Sequence, residues 1–337
     1  MTARPTIIRR KLAAATAGAA LLLTGVFGAG AAMAEDTLRA VAAFPKSVLF
    51  TQSFLRYVEK VNAGGKGVVQ IQFVGGPEVI KGLDQGDAVR RGAIDMAYVP
   101  GSYYPGIVPE TDALVASNIT PMEQRANGGI DLFNKIHQEK LNAYYLGHVD
   151  GGVVFHIYTI DKPKMSGGKL DLSGVKLRGA PIYREFFTDY LGATYVQVRV
   201  PEVYTALERG TVDGLGWPIV ALMDLKWDSH VKYRIDPGFF QTDLSIIVNL
   251  DKWNSLSQAS RDYLQQATIE FEQESYEFFQ DLQKKDAAEM VKRGMQVIEL
   301  DDAAGEAFRK AAADVAWARL KERDPTNYEA MRAKFYK

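Results

Sequence analysis

Two hydrophobic periods take turns along the chain after its first few dozen residues. Thr37-Leu-Arg-Ala-Val-Ala-Ala43 is apolar enough for a buried strand, and Phe44-Pro45 interrupts it. Phe50, Phe54, Leu55, Val58 and Val61 then fall on one face of a helix over 50–62, and Gly64-Gly65 ends it. Val68-Val-Gln-Ile-Gln-Phe-Val74 alternates as a second strand, and Gly75-Gly76-Pro77 turns the chain toward a helix near 84–91. This β-α-β-α-β opening is the skeleton of an open parallel sheet. Later segments repeat the alternation. A helix is expected near 122–140, strands at 143–147 and 153–159, a helix at 185–191 and a strand at 194–198. Ser245-Ile-Ile-Val-Asn-Leu250 reads as a strand, and 257–293 is nearly free of Gly and Pro, which predicts one very long helix. A final helix is expected near 303–321.

One pattern occurs twice. Ala88-Val-Arg-Arg-Gly-Ala-Ile-Asp-Met-Ala-Tyr-Val-Pro100 returns as Ala206-Leu-Glu-Arg-Gly-Thr-Val-Asp-Gly-Leu-Gly-Trp-Pro218. Each copy reads as a helix end, a glycine stop and a short buried strand halted by proline. Two such units far apart predict two similar α/β lobes with a cleft between them. No Gly/Pro linker separates two halves, so several segments should cross between the lobes. The strands at 153–159 and 245–250 and the long helix are the candidates.

The 337 residues suit two lobes, and 47% hydrophobic content supplies real cores. A net charge of -1 without a basic block excludes a polyanion surface, so no nucleic-acid partner is expected. The start of the chain stands apart: Arg9-Arg10-Lys11, an uncharged run to Glu35, and Ala32-Met33-Ala34 at its end. This is the layout of an export signal cleaved after Ala34, by ordinary secretion rather than the twin-arginine route. With no cysteine there is neither a disulfide nor a thiol for lipid attachment, which points to a soluble protein held in a periplasm. The four histidines (His137, His148, His156, His230) show no metal-ligand spacing, and nucleophile-elbow, phosphate-loop and His-Glu-x-x-His motifs are absent.

Gly92-Ala-Ile-Asp-Met-Ala97, Lys162-Pro163 with Asp171-Leu-Ser-Gly-Val-Lys-Leu-Arg178, Pro201-Glu-Val-Tyr-Thr-Ala-Leu-Glu-Arg-Gly-Thr-Val-Asp-Gly214 and Leu256-Ser-Gln-Ala-Ser-Arg-Asp-Tyr-Leu264 occur in that order. Together they resemble the periplasmic solute receptors of tripartite ATP-independent (TRAP) transporters, over essentially the whole chain after residue 34. The resemblance implies an α/β, two-lobed periplasmic-binding-protein-like fold, each lobe a mainly parallel sheet flanked by helices, with crossing strands and a long bracing helix. The expected organisation is 1–34 as cleaved signal peptide, 35–155 mainly lobe I and 156–245 mainly lobe II. Residues 246–337 then form a crossing strand and helices touching both lobes.

Such receptors close on an organic acid and deliver it to membrane subunits, without catalysis and without a cofactor. The resemblance places the shared carboxylate anchor at Arg178, whose planar, always-charged fork suits a carboxylate. Trp217 resembles the aromatic of receptors for 2-oxo acids and other monocarboxylates. Some of those hold a metal through a preceding Glu, but Gly216 here has no side chain, so no metal is expected. A second arginine of dicarboxylate-type receptors falls near His156, a weaker anchor at neutral pH. Phe44, Tyr98, Tyr103, Tyr158 and Tyr183 complete the expected ligand-binding set, as aromatic cover beside Trp217. The expected function is a monomeric receptor for a small organic monocarboxylate with an apolar or aromatic body, 2-oxo and 2-hydroxy acids among the candidates. The alternatives are a C4-dicarboxylate receptor and an exported enzyme acting on carboxylic acids.

Overall fold

The structure is a computed structural model that describes residues 35–166 and 169–337; the expected export signal at 1–34 lies outside the described residues. The first half supplies β1 (Asp36–Ala42), β2 (Val69–Gly75), β3 (Met96–Pro100), β4 (Ala143–His148) and β5 (Phe155–Thr159). A small hairpin, β6 (Lys164–Ser166) and β7 (Lys169–Asp171), follows. Then come β8 (Lys176–Gly179), β9 (Thr194–Gln197), β10 (Gly214–Pro218), β11 (Tyr233–Asp236), β12 (Leu244–Asn249) and β13 (Gln296–Glu299).

Apart from that hairpin, the strands build two sheets, one per lobe. Lobe I has the order β2-β1-β3-β12-β4, and lobe II has β13-β11-β5-β10-β8-β9. Strands joined through helices on their own side are parallel: β2-β1-β3 in the first sheet, β10-β8-β9 in the second. The strand that arrives from the other lobe, β12 or β5, enters antiparallel to its neighbours. Sheet positions such as Leu38, Ala40, Val41, Val99, Ile157, Leu215 and Ile247 are buried completely.

The principal helices are α1 (Leu49–Gly64), α2 (Gln85–Arg90), α3 (Gly129–Leu141), α4 (Val203–Glu208), α5 (Gln258–Lys292), α6 (Asp302–Arg323) and α7 (Pro325–Phe335). The segment expected as a helix at 185–191 is a helix of the wide π type over Phe186–Tyr190. The chain also continues past its expected last helix: Pro325, which preorganises the first turn of a new helix, starts α7.

The doubled sequence becomes a doubled structure. α2 and α4 each end at a left-handed glycine, Gly92 (φ +70°) and Gly210 (φ +66°). The repeated aspartates then do the same thing in each lobe. Asp95 Oδ2 accepts the backbone N–H of Arg39 at 2.8 Å, and Asp213 Oδ2 accepts that of Lys176 at 2.9 Å. Each carboxylate thereby ties its repeat to the neighbouring strand, β1 or β8.

Two segments cross between the lobes side by side. Val149, Thr242 and Phe155 donate backbone N–H to Leu244, Val153 and Phe240, and Val154 bridges Gln241. α5 spans roughly 52 Å at 1.5 Å per residue over its 35 residues. It is fastened to this crossing ribbon by Gln283, whose Oε1 accepts Val154 N–H at 2.8 Å and whose Nε2 donates to Gly152 O at 3.1 Å. Its lobe I end is held by Glu272, which is 1% exposed and receives two 2.7 Å hydrogen bonds from Arg125. From α6, Arg319 reaches Asp112 behind β3 at 2.6 Å and Ile182 O and Glu185 behind β8 at 3.0 and 2.9 Å. That arginine joins the two lobes through a buried ionic contact.

Candidate functional site

The prolines that end the repeated strands mark the site. Pro lacks the N–H that would extend the ladder, so β3 and β10 stop at Pro100 and Pro218. Both prolines line a small inner cavity between the lobes. Lobe I contributes Phe44, just past β1, Ser102 and Tyr103, just past β3, and Asp243, just before β12. Lobe II contributes Arg178 from β8, Tyr183 after it, and Trp217 from β10. Phe44 meets Tyr103 and Trp217 edge-on at 6.1 Å each, so an aromatic contact closes the gap from one lobe to the other.

Arg178 is only 4% exposed. Its Nε–H donates to Val198 O at 3.0 Å, which fixes the plane of the guanidinium and leaves the Nη groups for Tyr103 and the cavity. The guanidinium carbon lies 5.4 Å from the Trp217 ring centroid, within cation–π range. Trp217 itself has a buried Nε1–H with no acceptor among the described residues.

Arg178 and Tyr103 also belong to a larger outer cavity of about 560 Å³, a size ordinary for small-molecule sites. Its lobe I wall includes Ala43, Pro45, Glu78 and Lys81, and its lobe II wall runs over Gln197–Glu202. Arg199 on that wall is paired with Glu202. The inner cavity holds about 30 Å³, the room of one water, so an organic acid placed there needs the lobes slightly further apart.

The inner cavity holds a group that sequence patterning did not single out. Asp243 is 3% exposed, and its Oδ2 accepts the backbone N–H of Ser102, while Gly101 N–H donates to its carbonyl at 3.0 Å. Burial pushes this carboxyl up to about 6, against the opposing hydrogen bond from Ser102. Tyr103 is pushed up to about 12 by burial, with the Arg178 charge working the other way. The only trace of Asp243 in the sequence is a charged residue set directly before an apolar strand.

Of the expected residues, Arg178, Trp217, Tyr103, Phe44 and Tyr183 come together around this cavity. The other three are engaged elsewhere. Tyr98 stacks on Phe54 at 5.0 Å and donates its hydroxyl to Asp150 inside lobe I. Tyr158 is fully buried in lobe II, paired in register with Arg234. His156 Nδ1 lies 2.8 Å from Asp236 Oδ1 and 3.0 Å from Ile235 O, so its polar edge faces β11. Burial would raise Asp236, but His156 and Arg234 outweigh it and hold the carboxyl down near 2. A His156 so occupied is not placed as a second carboxylate anchor. At position 216 an added side chain would begin 2.8 Å from Phe187, inside the aromatic layer of lobe II, so this position itself offers no carboxylate.

Among the described residues no helix is long and apolar enough to cross a membrane. The family model for bacterial extracellular solute-binding proteins, family 7, matches residues 42–323. A solute-binding protein of Albidiferax ferrireducens is 24% identical over 275 residues, covering 77% of this chain and 78% of the relative. A Bordetella pertussis extracytoplasmic solute receptor that binds pyroglutamic acid superposes with a TM-score of 0.77 at 17% identity, over 89% of this chain and 99% of the other. A TRAP solute-binding protein of Bordetella bronchiseptica, seen with calcium and picolinate, gives 0.76 at 21% identity, over 90% and 91%. At such identities the structural likeness speaks for the two-lobed fold, and the family match over most of the chain speaks for descent. The chain belongs to family 7 of the bacterial extracellular solute-binding proteins, the periplasmic receptors that serve TRAP transporters.

Proposed function

We propose that this receptor captures a small organic monocarboxylate, with an apolar or aromatic body and a 2-oxo or 2-hydroxy group, and hands it to TRAP membrane subunits without transforming it. The observation that carries the reading is Arg178: a buried guanidinium, oriented by Val198 O, in the wall shared by both interlobe cavities. A guanidinium fixed in this way meets a carboxylate by charge-assisted hydrogen bonds worth roughly 1.5–3 kcal/mol. Phe44, Tyr103, Tyr183 and Trp217 supply the apolar cover. Pyroglutamic acid and picolinate, bound by the two Bordetella relatives, are both monocarboxylates with a ring body. Since the Arg178 anchor stands on lobe II and part of the cover, Phe44 and Tyr103, on lobe I, ligand binds the closed arrangement better than the open one, and closure is the signal for the membrane subunits.

The test is calorimetry of the mature protein against a panel of 2-oxo, 2-hydroxy and aromatic monocarboxylates and C4-dicarboxylates, with the ligand recovered and analysed afterwards. Binding of a monocarboxylate, recovered unchanged and lost in Arg178→Ala, is expected. Turnover would make the protein an enzyme, and a dicarboxylate binding more tightly than its monocarboxylate counterpart would overturn the ligand class.

A further inference from the structure

The inner cavity has two poles of opposite sign on opposite lobes. Arg178 stands on lobe II, and Asp243 stands on lobe I, pinned through Ser102 N–H and Gly101 N–H to the loop after β3. Asp243 Oδ2 accepts the Ser102 N–H, and among the described residues Ser102 is the one neighbour that hydrogen-bonds this carboxylate, whose two oxygens have acceptor capacity to spare. Both poles line the same small cavity, so an acid admitted there by a slight parting of the lobes lies between them. A ligand carboxylate can occupy only the Arg178 end, because a second carboxylate would meet Asp243 as a like charge in a water-poor space. At the Asp243 end the complementary group is a hydrogen-bond donor. A keto oxygen there would face an acceptor, and a methyl group would leave a buried carboxylate unpaired, which is costly.

Resting on the monocarboxylate reading above, we infer that Asp243 selects acids carrying a hydroxyl or N–H donor next to the carboxylate over the matching 2-oxo acids, plain acids and dicarboxylates. Such a ligand bridges the lobes, carboxylate to Arg178 on one and donor to Asp243 on the other. A ligand without the donor pairs with lobe II alone and gives closure less differential energy. Trp217 Nε1–H, buried and without an acceptor, is the donor left over for a second ligand oxygen.

The experiment compares matched probes by calorimetry at one pH: lactate, alanine, pyruvate and propionate, then 2-hydroxyisovalerate, valine and 2-oxoisovalerate, with succinate as the dicarboxylate. Each is titrated into the wild-type protein, Asp243→Asn and Arg178→Ala. Asparagine keeps the acceptor for Ser102 N–H and turns an N–H₂ toward the cavity, so the polarity of this pole inverts while its shape does not. The wild type is expected to favour the hydroxy or amino acid over the 2-oxo acid by tenfold or more, the two donor arms telling hydroxyl from ammonium. Asp243→Asn should bring that ratio to one or below, and Arg178→Ala should abolish binding of all probes. If 2-oxo acids bind wild type as well as their hydroxy and amino partners, or if Asp243→Asn preserves the preference, the role of Asp243 is refuted while the receptor reading stands. If no carboxylate binds wild type, both fall together.

Discussion

Replacing Arg319 with Met tests how the two lobes are held against each other. The side chain is 6% exposed and its principal partner, Asp112, is not exposed at all. Asp112 Oδ2 receives Nε–H at 2.6 Å, while its Oδ1 has no partner. Burial raises the Asp112 carboxyl, and the Arg319 charge is the chief force opposing that rise. Methionine keeps length and apolar stem but strands the aspartate. Breaking a buried pair from one side costs roughly 3–5 kcal/mol. With about 2.1 cal/mol/K of unfolding entropy per residue, some 300 folded residues give ~0.6 kcal/mol/K at the midpoint, so Tm should fall by about 5–8 °C. Differential scanning calorimetry of Arg319→Met, Asp112→Asn and the double variant would measure it. The double variant should recover more than half of the loss, since no charge is then left buried. The deficit of Arg319→Met should also shrink toward pH 4, where a raised carboxyl takes up a proton and the stranded charge disappears. A loss below about 1 kcal/mol, or a double variant equal to the sum of the singles, would show that the ionic contact carries no such weight.

Three further outcomes follow from the same structure. Gly92→Ala and Gly210→Ala meet no atom closer than 3.7 Å, so each should cost only the left-handed backbone penalty of roughly 1–2 kcal/mol. Because the two lie in different lobes, chemical denaturation of the double variant should show the costs adding, and a clear departure would mean the repeats are coupled. Burial holds His148 down near 4, below the ordinary 6.5, so the unfolded chain takes up its proton first and stability is lost as pH falls from 6.5 toward 4. A shift of that size is on the order of 3 kcal/mol at full effect, and His148→Gln should flatten the melting profile over that window; an unchanged slope would refute the assignment. Trp217→Phe removes the unpartnered Nε1–H while keeping an aromatic ring, and it should weaken ligand binding by about tenfold with little loss of Tm. Unaltered affinity would take the indole N–H out of the site.

What the sequence disclosed and what it hid differ by the range of the interactions involved. The doubled Gly-Xaa-Xaa-Asp unit was legible because helix stop, glycine and strand are local, and the long helix because thirty-odd residues without a breaker leave few alternatives. The resemblance, and no local pattern, points to Arg178, while Phe44 and Tyr183 lie just past strands and Trp217 near the end of one. His156 reads equally well as a cleft residue until its register is known. Its partner Asp236 lies eighty residues away, on a strand whose neighbour only pairing reveals. The same range hides the engagement of Tyr98, which Asp150 reaches from the crossing segment. Asp243 went unnoticed because a lone acid before an apolar strand has no meaning until Ser102, 141 positions earlier, comes to hold it.

The crossing ribbon has a mechanical consequence. Two hydrogen-bonded strands lying edge to edge form a leaf spring: compliant to bending through its thickness, stiff to bending in its own plane and to shear along its length. Gln283 clips α5 to that ribbon at Gly152 and Val154, so the helix acts as a rib across the leaf. Such a strip resists sliding along its length more than bending through its thickness, which favours rotation of the lobes about the ribbon over shear between them.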